Sequence, residues 1–444
     1  MKYDSYFTFI KIIEIYIMTR CMFYYIINIL NIVILTAKLI WFLIFLKLYH
    51  KSYFTTKIGA HSLKNKLLSL EIVGIKLGQY IISRNDLVNS EAREVLAFFL
   101  DKVDEHSYKQ SVHILKSDPA FDNSNLCHLS RNVLGSGSIA QVHDYGEKVI
   151  KIIHPQCRNL KYYINSLNII LKYSSKHFLI NIEWKAFLEL LNEQTNLENE
   201  AITMKHFYSC FKDYKEIEVP EVFSFGKYFI IMSKVYGIPL SDETAVNSSL
   251  SRNKIINYKN NLTSFLLYSC ITNNICHGDL HKGNIFVKEN GFISVVDYGL
   301  VIRQDNSFEG IISFWESVVT KDFDSIVKFL SYLLCSNDLN NNKVNSQYIS
   351  QLFLNHLNRY DLDITETSPD LQLKFLLTFL QENKLIVKGR TLQFIIQFII
   401  LDPQDILRVI QFMQRKYFFA SNCGYKLKNI KQYIEKSFKI KKTQ

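Results

Sequence analysis

The segment HGDLHKGNIFV, residues 277–287, combines residue types that handle phosphate groups. Its Asp279 is predicted to orient a nucleophile or to accept its proton, as a catalytic carboxylate does. Asn284 follows five positions later, and Asp297, in the segment DYG, lies eighteen positions after Asp279. Amide and carboxylate oxygens are ligands that Mg²⁺ prefers, so Asn284 and Asp297 are the predicted metal ligands. The apolar segments IFV and FISVV between them predict a short hairpin that holds the two ligands close together.

Phosphoryl transfer further needs backbone amides over the phosphates, a lysine that contacts them, and a carboxylate that holds this lysine. Lys151 lies in the apolar run VIKII, and Glu200 lies in the helical segment NLENEAITMKHF. We expect both to act with Asp279 in catalysis. Upstream, the segment GSGSIAQV predicts a nucleotide-binding loop, whose residues are Gly135, Ser136, Gly137, Ser138, Ile139 and Ala140.

Each of these parts also has a plainer interpretation. Glycines are common in hairpins, a lysine on a strand is often an edge residue, and a helical glutamate is usually solvated. The two histidines of the segment, His277 and His281, lack a third nearby ligand, and Mg²⁺ prefers oxygen. The order of the parts along the chain favours one nucleotide site over the separate alternatives.

The patterns around these residues predict the fold. Short β runs broken at glycines lie within residues 132–155 and 221–240, and residues 160–210 between them have helical periodicity. Later residues are mostly helical apart from strands near 284–288 and 292–297. The five- and eighteen-residue spacings match those of protein kinases. We therefore expect an α+β, bilobal protein-kinase-like fold with an N-terminal helical extension over the active site and a mostly helical C-terminal lobe. The predicted domains are a membrane-associating segment at 1–50, the extension at 51–128, the N-lobe at 129–242 and the C-lobe at 243–444.

Composition excludes several classes of protein. The chain has 444 residues, of which 48% are hydrophobic and only 6 are proline, so it is neither disordered nor fibrous. Its 8 cysteines form no CxxC pair, which argues against a zinc site or a disulfide framework and favours a reducing compartment. A net charge of +11 would suit an anionic membrane or nucleic acid, but no aromatic–basic motif supports nucleic-acid binding.

Two segments predict membrane contact. Residues 22–46, MFYYIINILNIVILTAKLIWFLIFL, are long enough to cross a bilayer, which takes about 20 apolar residues. The polar members of this segment lie on one side of a helical wheel, which fits an interfacial helix as well as a packed span; a buried core helix is the third interpretation. The C-terminal segment at 426–444 places apolar residues at helical spacing among lysines, a pattern typical of binding to anionic lipid.

Four segments resemble the UbiB family of atypical kinases: KLGQYIISRNDL at 76–87, SIAQVH at 138–143, VYGIPLSD at 235–242, and HGDLHKGNIFV. The resemblance covers roughly residues 60–340, and its most specific part is the Lys-x-Gly-Gln signature at 76–79. The UbiB family is associated with ubiquinone (coenzyme Q) biosynthesis in bacterial inner membranes and in mitochondria. The string HGDLHxGN alone would also fit small-molecule phosphotransferases that resemble aminoglycoside and choline kinases.

The resemblance implies ATP and Mg²⁺ as cofactors. It also implies that the helix carrying Lys76 and Gln79 covers the nucleotide site, with both side chains in the pocket, where a protein substrate would otherwise dock. Such a protein is expected to hydrolyse ATP or to phosphorylate a small or lipid substrate, not proteins. Consistent with this, no Ala-Pro-Glu motif follows Asp297.

Two features, the nucleotide loop and the residue at position 194, depart from the family pattern. The family's nucleotide loop is usually alanine-rich, whereas Gly135 and Gly137 make this loop more like that of an ordinary kinase, which favours transfer over restrained hydrolysis. Gln194 stands where the family has a carboxylate that pairs with Lys76. An amide does not neutralise a lysine, so we expect the covering helix to be held less tightly here and the basal activity to be higher.

The expected function is that of an ATP-dependent phosphotransferase or ATPase that acts at a membrane in ubiquinone biosynthesis. Two alternatives stay open. A small-molecule phosphotransferase would not account for the helix at 76–79. A non-catalytic scaffold that binds nucleotide or lipid is disfavoured by the complete set of Lys151, Glu200, Asp279, Asn284 and Asp297.

The expected partners are anionic membrane lipids and other ubiquinone-biosynthesis enzymes, without nucleic acid. A homodimer is compatible with the sequence. The expected location is the bacterial inner membrane, with the mitochondrial inner membrane as the alternative.

Overall fold

The computed structural model describes residues 30, 33–42, 44–45, 55–83, 88–100, 104–160, 164–165, 168, 184–273, 275–303, 346–360, 375, 378–379 and 382–383. The predicted basic segment at 426–444 lies outside these residues, as does nearly half of the hydrophobic segment at 22–46. Residues 33–42 of that segment are helical. Among the described residues, no helix combines the length and the apolar character that crossing a membrane requires.

The α-helices are α1 Lys57–Leu68, α2 Glu71–Ser83, α3 Ser90–Leu96, α4 Tyr108–Lys116, α5 Trp184–Gln194, α6 Leu197–Phe211, α7 Glu243–Ser249, α8 Arg252–Asn273 and α9 Ser346–Tyr360. The strands are β1 Leu129–Ser136, β2 Ala140–Tyr145, β3 Lys148–Ile153, β4 Ile217–Glu218, β5 Val222–Phe225, β6 Phe229–Ser233, β7 Ile238–Pro239, β8 Ile275–His277, β9 Ile285–Val287, β10 Ile293–Val295 and β11 Val301–Arg303. Short 3-10 turns occupy Ala97–Leu100, Asn123–His128, Pro155–Asn159 and Lys282–Asn284.

The first of two compact units comprises the described residues of 1–106, 136–140 and 153–195. Helix α2 forms its centre because apolar residues recur at helical spacing and are buried, among them Val73, Leu77 and Ile81. Helix α1 packs against α2 and α3. On another side, the Tyr80 ring of α2 contacts the Phe187 ring of α5, with 5.6 Å between centroids. Helix α2, which carries Lys76 and Gln79, is therefore held by neighbours on more than one face.

The second unit comprises the described residues of 107–135, 141–152 and 196 onward. Its larger sheet has the strand order β1-β2-β3-β6-β5. Strand β3, KVIKII, is almost wholly buried, and it pairs antiparallel with β6 so that Lys151 lies opposite Ile230. Strands β2 and β3 are joined by a tight turn at Gly146, whose φ of +65° is a conformation that favours glycine. The sheet thus places a lysine in the middle of a buried strand.

The remaining strands of the second unit form two small sheets. One has the order β4-β10-β9-β7, and the other pairs β11 with β8. The β9–β10 hairpin, with Val295 opposite Ile285, brings the ends of two predicted functional segments together. Behind these strands, the Phe207 ring of α6 packs on Tyr298 at 4.8 Å and on Phe265 of α8 at 5.7 Å. The predicted α+β class is confirmed, whereas the division into four domains stays a prediction.

Gly74 in α2 marks the closest approach of two helices. A Cβ at this position would come within 1.7 Å of the Leu67 carbonyl oxygen of α1, and a backbone atom has no rotamer by which to move away. We expect Gly74→Ala to lower the free energy of unfolding by about 2 kcal/mol, although alanine is the better helix former by about 1 kcal/mol.

Thermal or urea unfolding of the variant measures this effect. Gly135→Ala is the control, since apart from Gly135 and its two chain neighbours no atom of the described chain lies within 4 Å of the position that a Cβ would take there. Equal stability of the two variants would contradict the packing of α2 on α1.

Candidate active site

Lys151 is the cation around which the candidate site is organised. It is 9% exposed, and its Nζ donates to Glu200 Oε1 at 2.6 Å. The same Nζ lies 3.3 Å from Asp297 Oδ1. The structure therefore brings together three predicted site residues from β3, α6 and the segment after β10.

Glu200 is held in the first turn of α6. Asn196 precedes the helix, and its Oδ1 accepts the Asn199 N–H at 3.1 Å, an N-cap that fixes where the helix begins. The Glu200 N–H in turn donates to the Asn196 carbonyl at 3.1 Å. With 3% of its surface exposed, Glu200 is a buried carboxylate whose partner is a buried ammonium group.

Asp297 has a backbone conformation that residues other than glycine seldom adopt. Its φ is +62°, and such values at functional sites are maintained only when the surroundings determine them. Two contacts do so here. The Gly299 N–H donates to Asp297 Oδ1 at 3.3 Å, and the neighbouring Tyr298 ring is buried, with its hydroxyl donating to the Val295 carbonyl at 3.1 Å. The Asp297 side chain itself remains 47% exposed.

Asp279 and Asn284 lie in a segment fixed by hydrogen bonds at both ends. The Asn284 Nδ2 donates to the Asp279 carbonyl at 2.9 Å, and the Val296 N–H donates to the Asn284 carbonyl at 2.9 Å. The second bond places Asn284 beside the residue that precedes Asp297. The two predicted metal ligands are thus adjacent across the β9–β10 hairpin, while Asp279 is partly exposed.

His277, the last residue of β8, is fully buried and supports the backbone of this segment. Its Nδ1 accepts the Asp279 N–H at 3.2 Å, so its Nε2 carries the proton and donates to the Val296 carbonyl at 3.3 Å. Burial lowers the pKa of His277, which keeps the ring neutral and this tautomer in place. The predicted supporting role by hydrogen bonding agrees with these contacts.

One cation between two carboxylates sets the electrostatics of the site. Burial raises the pKa of Glu200 to about 7, even though Lys151 opposes that rise. Partial burial alone would also raise the pKa of Asp297, but the Lys151 ammonium and the Gly299 N–H outweigh this effect and lower the pKa to about 2. Burial alone would lower the pKa of Lys151, and the two carboxylates instead raise it above its ordinary value. Asp297 is therefore ionised at any physiological pH.

The donor set suits Mg²⁺. The Asn284 Nδ2 is engaged with Asp279, which leaves Oδ1 as the ligand atom of the amide, and Asp297 offers a half-exposed carboxylate beside it. In the described part of the chain, no three His, Cys, Asp or Glu side chains are grouped so as to hold a metal ion. Magnesium does not require such a cage, because it usually takes one or two protein ligands together with water and phosphate oxygens.

The predicted cofactor contacts Lys76 and Gln79 belong to the first unit, as does Gln194. Gln79 Nε2 donates to the Phe99 carbonyl at 2.9 Å, so this amide ties α2 to the following 3-10 turn. Lys76 is partly buried and acts electrostatically on Cys157, whose pKa burial raises to about 12. Gln194 Oε1 is buried and, within the described residues, has no hydrogen-bond partner. The predicted contact between Lys76 and the carboxylate position at 194 stays a prediction.

The predicted nucleotide loop, residues 135–140, connects β1 to β2. The Gly137 N–H donates to the Ala140 carbonyl at 2.9 Å, which closes a tight turn over Ser138 and Ile139. His154 contacts this loop and was missed by the sequence analysis, although it follows the strand of Lys151 directly. A buried histidine whose partner is a backbone carbonyl gives no signal in the sequence.

Comparison with known proteins gives one family for most of this region. The ABC1 atypical kinase-like domain matches residues 99–330, slightly more than half of the chain. The kinase-like character of the predicted α+β fold is confirmed by this match.

The individual relatives match this chain over only part of their own length. A protein named "Probable protein kinase UbiB" from Shewanella loihica is 26% identical over 316 residues, which are 63% of this chain and 55% of that protein. "ABC1 family protein C21C3.03, mitochondrial" from Schizosaccharomyces pombe is 27% identical over 68% of this chain and 49% of its own length. "Protein ACTIVITY OF BC1 COMPLEX KINASE 1, chloroplastic" from Arabidopsis thaliana is 26% identical over 56% of this chain and 39% of its own length. The chain spans about half the length of the curated relatives it matches.

A solved structure of a complex of Rv3197 with erythromycin, from Mycobacterium tuberculosis, is similar with a TM-score of 0.45 and 14% identity. The match covers 66% of this chain and 75% of that one.

Lys151→Met removes the cation and leaves Glu200 buried without it. Removing one member of a buried pair typically costs 3–5 kcal/mol, and here the loss should depend on pH. Burial already raises the pKa of Glu200, and without the ammonium it rises further. A carboxyl group whose pKa is higher in the folded state than in the unfolded state stabilises the fold at pH values below its unfolded-state pKa. This stabilisation is lost as the pH rises through its folded-state pKa. The variant should therefore lose more stability, relative to the unaltered protein, at pH 8 than at pH 5.

Urea unfolding of both proteins at the two pH values measures this difference. The double variant Lys151→Met/Glu200→Gln is the control, because it removes both charges and should cancel the additional loss at pH 8. A loss of equal size at pH 5 and pH 8 would show that Glu200 is not the source.

Proposed function

The chain belongs to the family of ABC1 atypical kinase-like domains, and from this premise we propose that it binds Mg-ATP and transfers or hydrolyses the terminal phosphoryl group. The observation that supports the proposal best is the position of Lys151 Nζ, 2.6 Å from Glu200 and 3.3 Å from Asp297. In phosphoryl transfer a lysine contacts the nucleotide phosphates, a glutamate holds the lysine, and an aspartate binds the metal ion. One residue of each type is present here, and the lysine contacts both carboxylates.

Each residue would have a separate task. Lys151 would neutralise phosphate charge, and Glu200 would hold its ammonium group in place. Asn284 and Asp297 would be the protein ligands of Mg²⁺, which supplies positive charge to the phosphate oxygens. Asp279 would orient the nucleophile and accept its proton. The loop residues 135–140 would donate backbone N–H groups to phosphates, and Lys76 and Gln79 stay proposed nucleotide contacts.

The acceptor is proposed on the resemblance of α2 to the UbiB signature helix. A helix over the nucleotide site would exclude a protein substrate, so we propose water or a small or lipid molecule as the acceptor. We also propose that this activity supports ubiquinone biosynthesis. The name of the Shewanella loihica relative contains "protein kinase UbiB", which supports a kinase-like role but names no acceptor.

Asp297→Asn tests the metal site. The variant keeps the shape of the side chain but loses the charge. We expect the Mg-ATP concentration that gives half of the maximal increase in melting temperature to be at least tenfold higher for the variant than for the unaltered protein. ATP turnover should fall by at least a hundredfold. Because Lys151 lowers the pKa of Asp297, the ionised carboxylate contributes stability that the variant loses. Lys151 keeps Glu200 as its partner, so this loss should be smaller than that of Lys151→Met.

The control for this variant is Asp104→Asn, a change of the same kind at an exposed position. Turnover is measured with and without Mg²⁺ and with and without anionic lipid vesicles. Full Mg-ATP stabilisation of Asp297→Asn would rule out this metal site, and absence of any nucleotide effect on the unaltered protein would rule out the proposed function.

We propose further that the helical residues 33–42 contact a lipid surface. Leu35, Leu39 and Phe42 are buried, while the other side of the helix exposes apolar side chains, including Ile34 and Trp41, the latter 69% exposed. Placing one such side chain in an apolar environment contributes about 1.5–3 kcal/mol. The net charge of +11 would add attraction to anionic lipids.

The double variant Ile34→Glu/Trp41→Glu should reduce the fraction of protein that floats with anionic vesicles by at least tenfold, because it loses apolar contact and adds repulsion. Tyr348→Glu, a change at an exposed aromatic residue of α9, is the control. High salt should weaken flotation of the unaltered protein in part. Unchanged flotation of the double variant would contradict the proposed contact.

A further inference from the structure

Two buried histidines in the first unit contact each other directly beneath the loop at 135–140. His106 Nδ1 lies 2.8 Å from His154 Nδ1, and the rings meet edge to face with 4.9 Å between centroids. Both side chains are at most 9% exposed. On its other side, His154 Nε2 lies 2.9 Å from the Gly137 carbonyl oxygen. The two rings thus form a chain from residue 106 to the middle of the loop.

The carbonyl group fixes the protonation of both rings. A carbonyl oxygen only accepts, so His154 Nε2 must carry a proton and donate it to Gly137. Burial lowers the pKa of His154, although the Gly137 carbonyl opposes this, and the ring is neutral. A neutral ring with a proton on Nε2 has a lone pair on Nδ1. His106 must therefore donate from its own Nδ1, because a hydrogen bond needs one donor and one acceptor.

The same contacts orient the peptide groups of the loop. The Gly137 carbonyl faces His154 Nε2, and the Ile139 carbonyl accepts the His154 backbone N–H at 2.8 Å. In a planar trans peptide the carbonyl and the following N–H point in opposite directions. The N–H groups of Ser138 and Ala140 are consequently directed away from His154. Backbone N–H groups that point outward from a tight glycine-containing turn are suitable donors to phosphate oxygens.

We propose that His106 is a positioning residue for phosphate binding. Its Nδ1–H fixes the His154 ring, and this ring holds the Gly137 carbonyl. The Ser138 N–H is thereby kept directed away from His154 and toward a nucleotide phosphate. The inference rests on the proposed function, since it assigns the loop to a nucleotide. His106 would be a hydrogen-bond donor that lies outside the loop at 135–140 and apart from the charged residues Lys151, Glu200 and Asp297.

Two substitutions of His106 separate hydrogen bonding from packing. His106→Phe keeps an aromatic ring against His154 but removes the donor. His106→Asn loses the ring but retains an amide N–H near the position of Nδ1. Loss of one neutral hydrogen bond corresponds to a change in affinity of about fivefold to tenfold. We expect His106→Phe to weaken Mg-ATP binding by that factor and to speed amide hydrogen exchange of residues 136–140 without nucleotide, whereas His106→Asn stays within about twofold of the unaltered protein.

The control is His61→Phe, because His61 is an exposed histidine of the same unit. Unchanged exchange and affinity in His106→Phe, or equal impairment in His106→Phe and His106→Asn, would overturn the proposal. If the unaltered protein binds no nucleotide, the proposed function fails, and the exchange of the loop in the two variants still decides the positioning role.

Nitrogen-15 NMR of histidine-labelled full-length protein supplies a test that needs no destabilising substitution. Ring-nitrogen shifts distinguish a protonated from an unprotonated nitrogen, and signals are assigned by the loss of one histidine at a time. We expect His154 to be neutral with its proton on Nε2 and His106 to carry a proton on Nδ1. A proton on Nδ1 of neutral His154 would overturn the proposal.

Discussion

The buried ion pair between Lys151 and Glu200 is the interaction on which the site depends. Burying charges is unfavourable unless each has a partner and further hydrogen bonds, so strand β3 and helix α6 must both be positioned accurately for the pair to form. The N-cap of α6 by Asn196 and the pairing of β3 with β6 meet this requirement. With Asp297 added, one positive and two negative charges share a small volume. The cluster carries a net charge of −1 when Glu200 is ionised and is neutral when Glu200 is protonated, and the ionised state favours the approach of a cation.

Backbone geometry complements these charges. His277 accepts from the Asp279 N–H and donates to the Val296 carbonyl, so one ring connects the backbone at the predicted catalytic aspartate with the residue before the predicted metal ligand. Asp297 can then maintain a φ of +62°, because Tyr298 and the β9–β10 hairpin fix the chain on both sides of it. An unusual backbone conformation is held by the packing of aromatic rings behind it, which is how strain at a functional residue persists.

Sequence reasoning succeeded where the signal is local. The strands near 284–288 and 292–297 correspond to β9 and β10, because each is a short apolar run next to turn residues. The α+β kinase-like fold followed from the order of motifs. Strands β8 and β11 were missed, because their sequences ICH and VIR each contain only two adjacent apolar residues, whereas β9 and β10 lie in the longer apolar runs IFV and FISVV. The contact between His106 and His154 joins residues 48 positions apart without any motif, and only the folded chain reveals it. Tertiary contacts of this kind leave no pattern in one sequence.

The two carboxylates that share Lys151 differ in a way that bears on how a metal would enter. Asp297 has a pKa of about 2 and is half-exposed, so it can accept a cation without first losing a proton. Glu200, buried and with its pKa raised to about 7, lies on the inner side of the lysine. A divalent ion at Asp297 would compete with the Lys151 ammonium for the same oxygen. The lysine would then keep Glu200 as its remaining carboxylate partner and become available to phosphate. The metal ion would replace Lys151 as the partner of Asp297, and the nucleotide phosphate would replace Asp297 as a partner of Lys151. If the chain binds Mg-ATP as proposed, the sharing of one ammonium group by two carboxylates in different environments would couple the binding of the metal ion to that of the nucleotide.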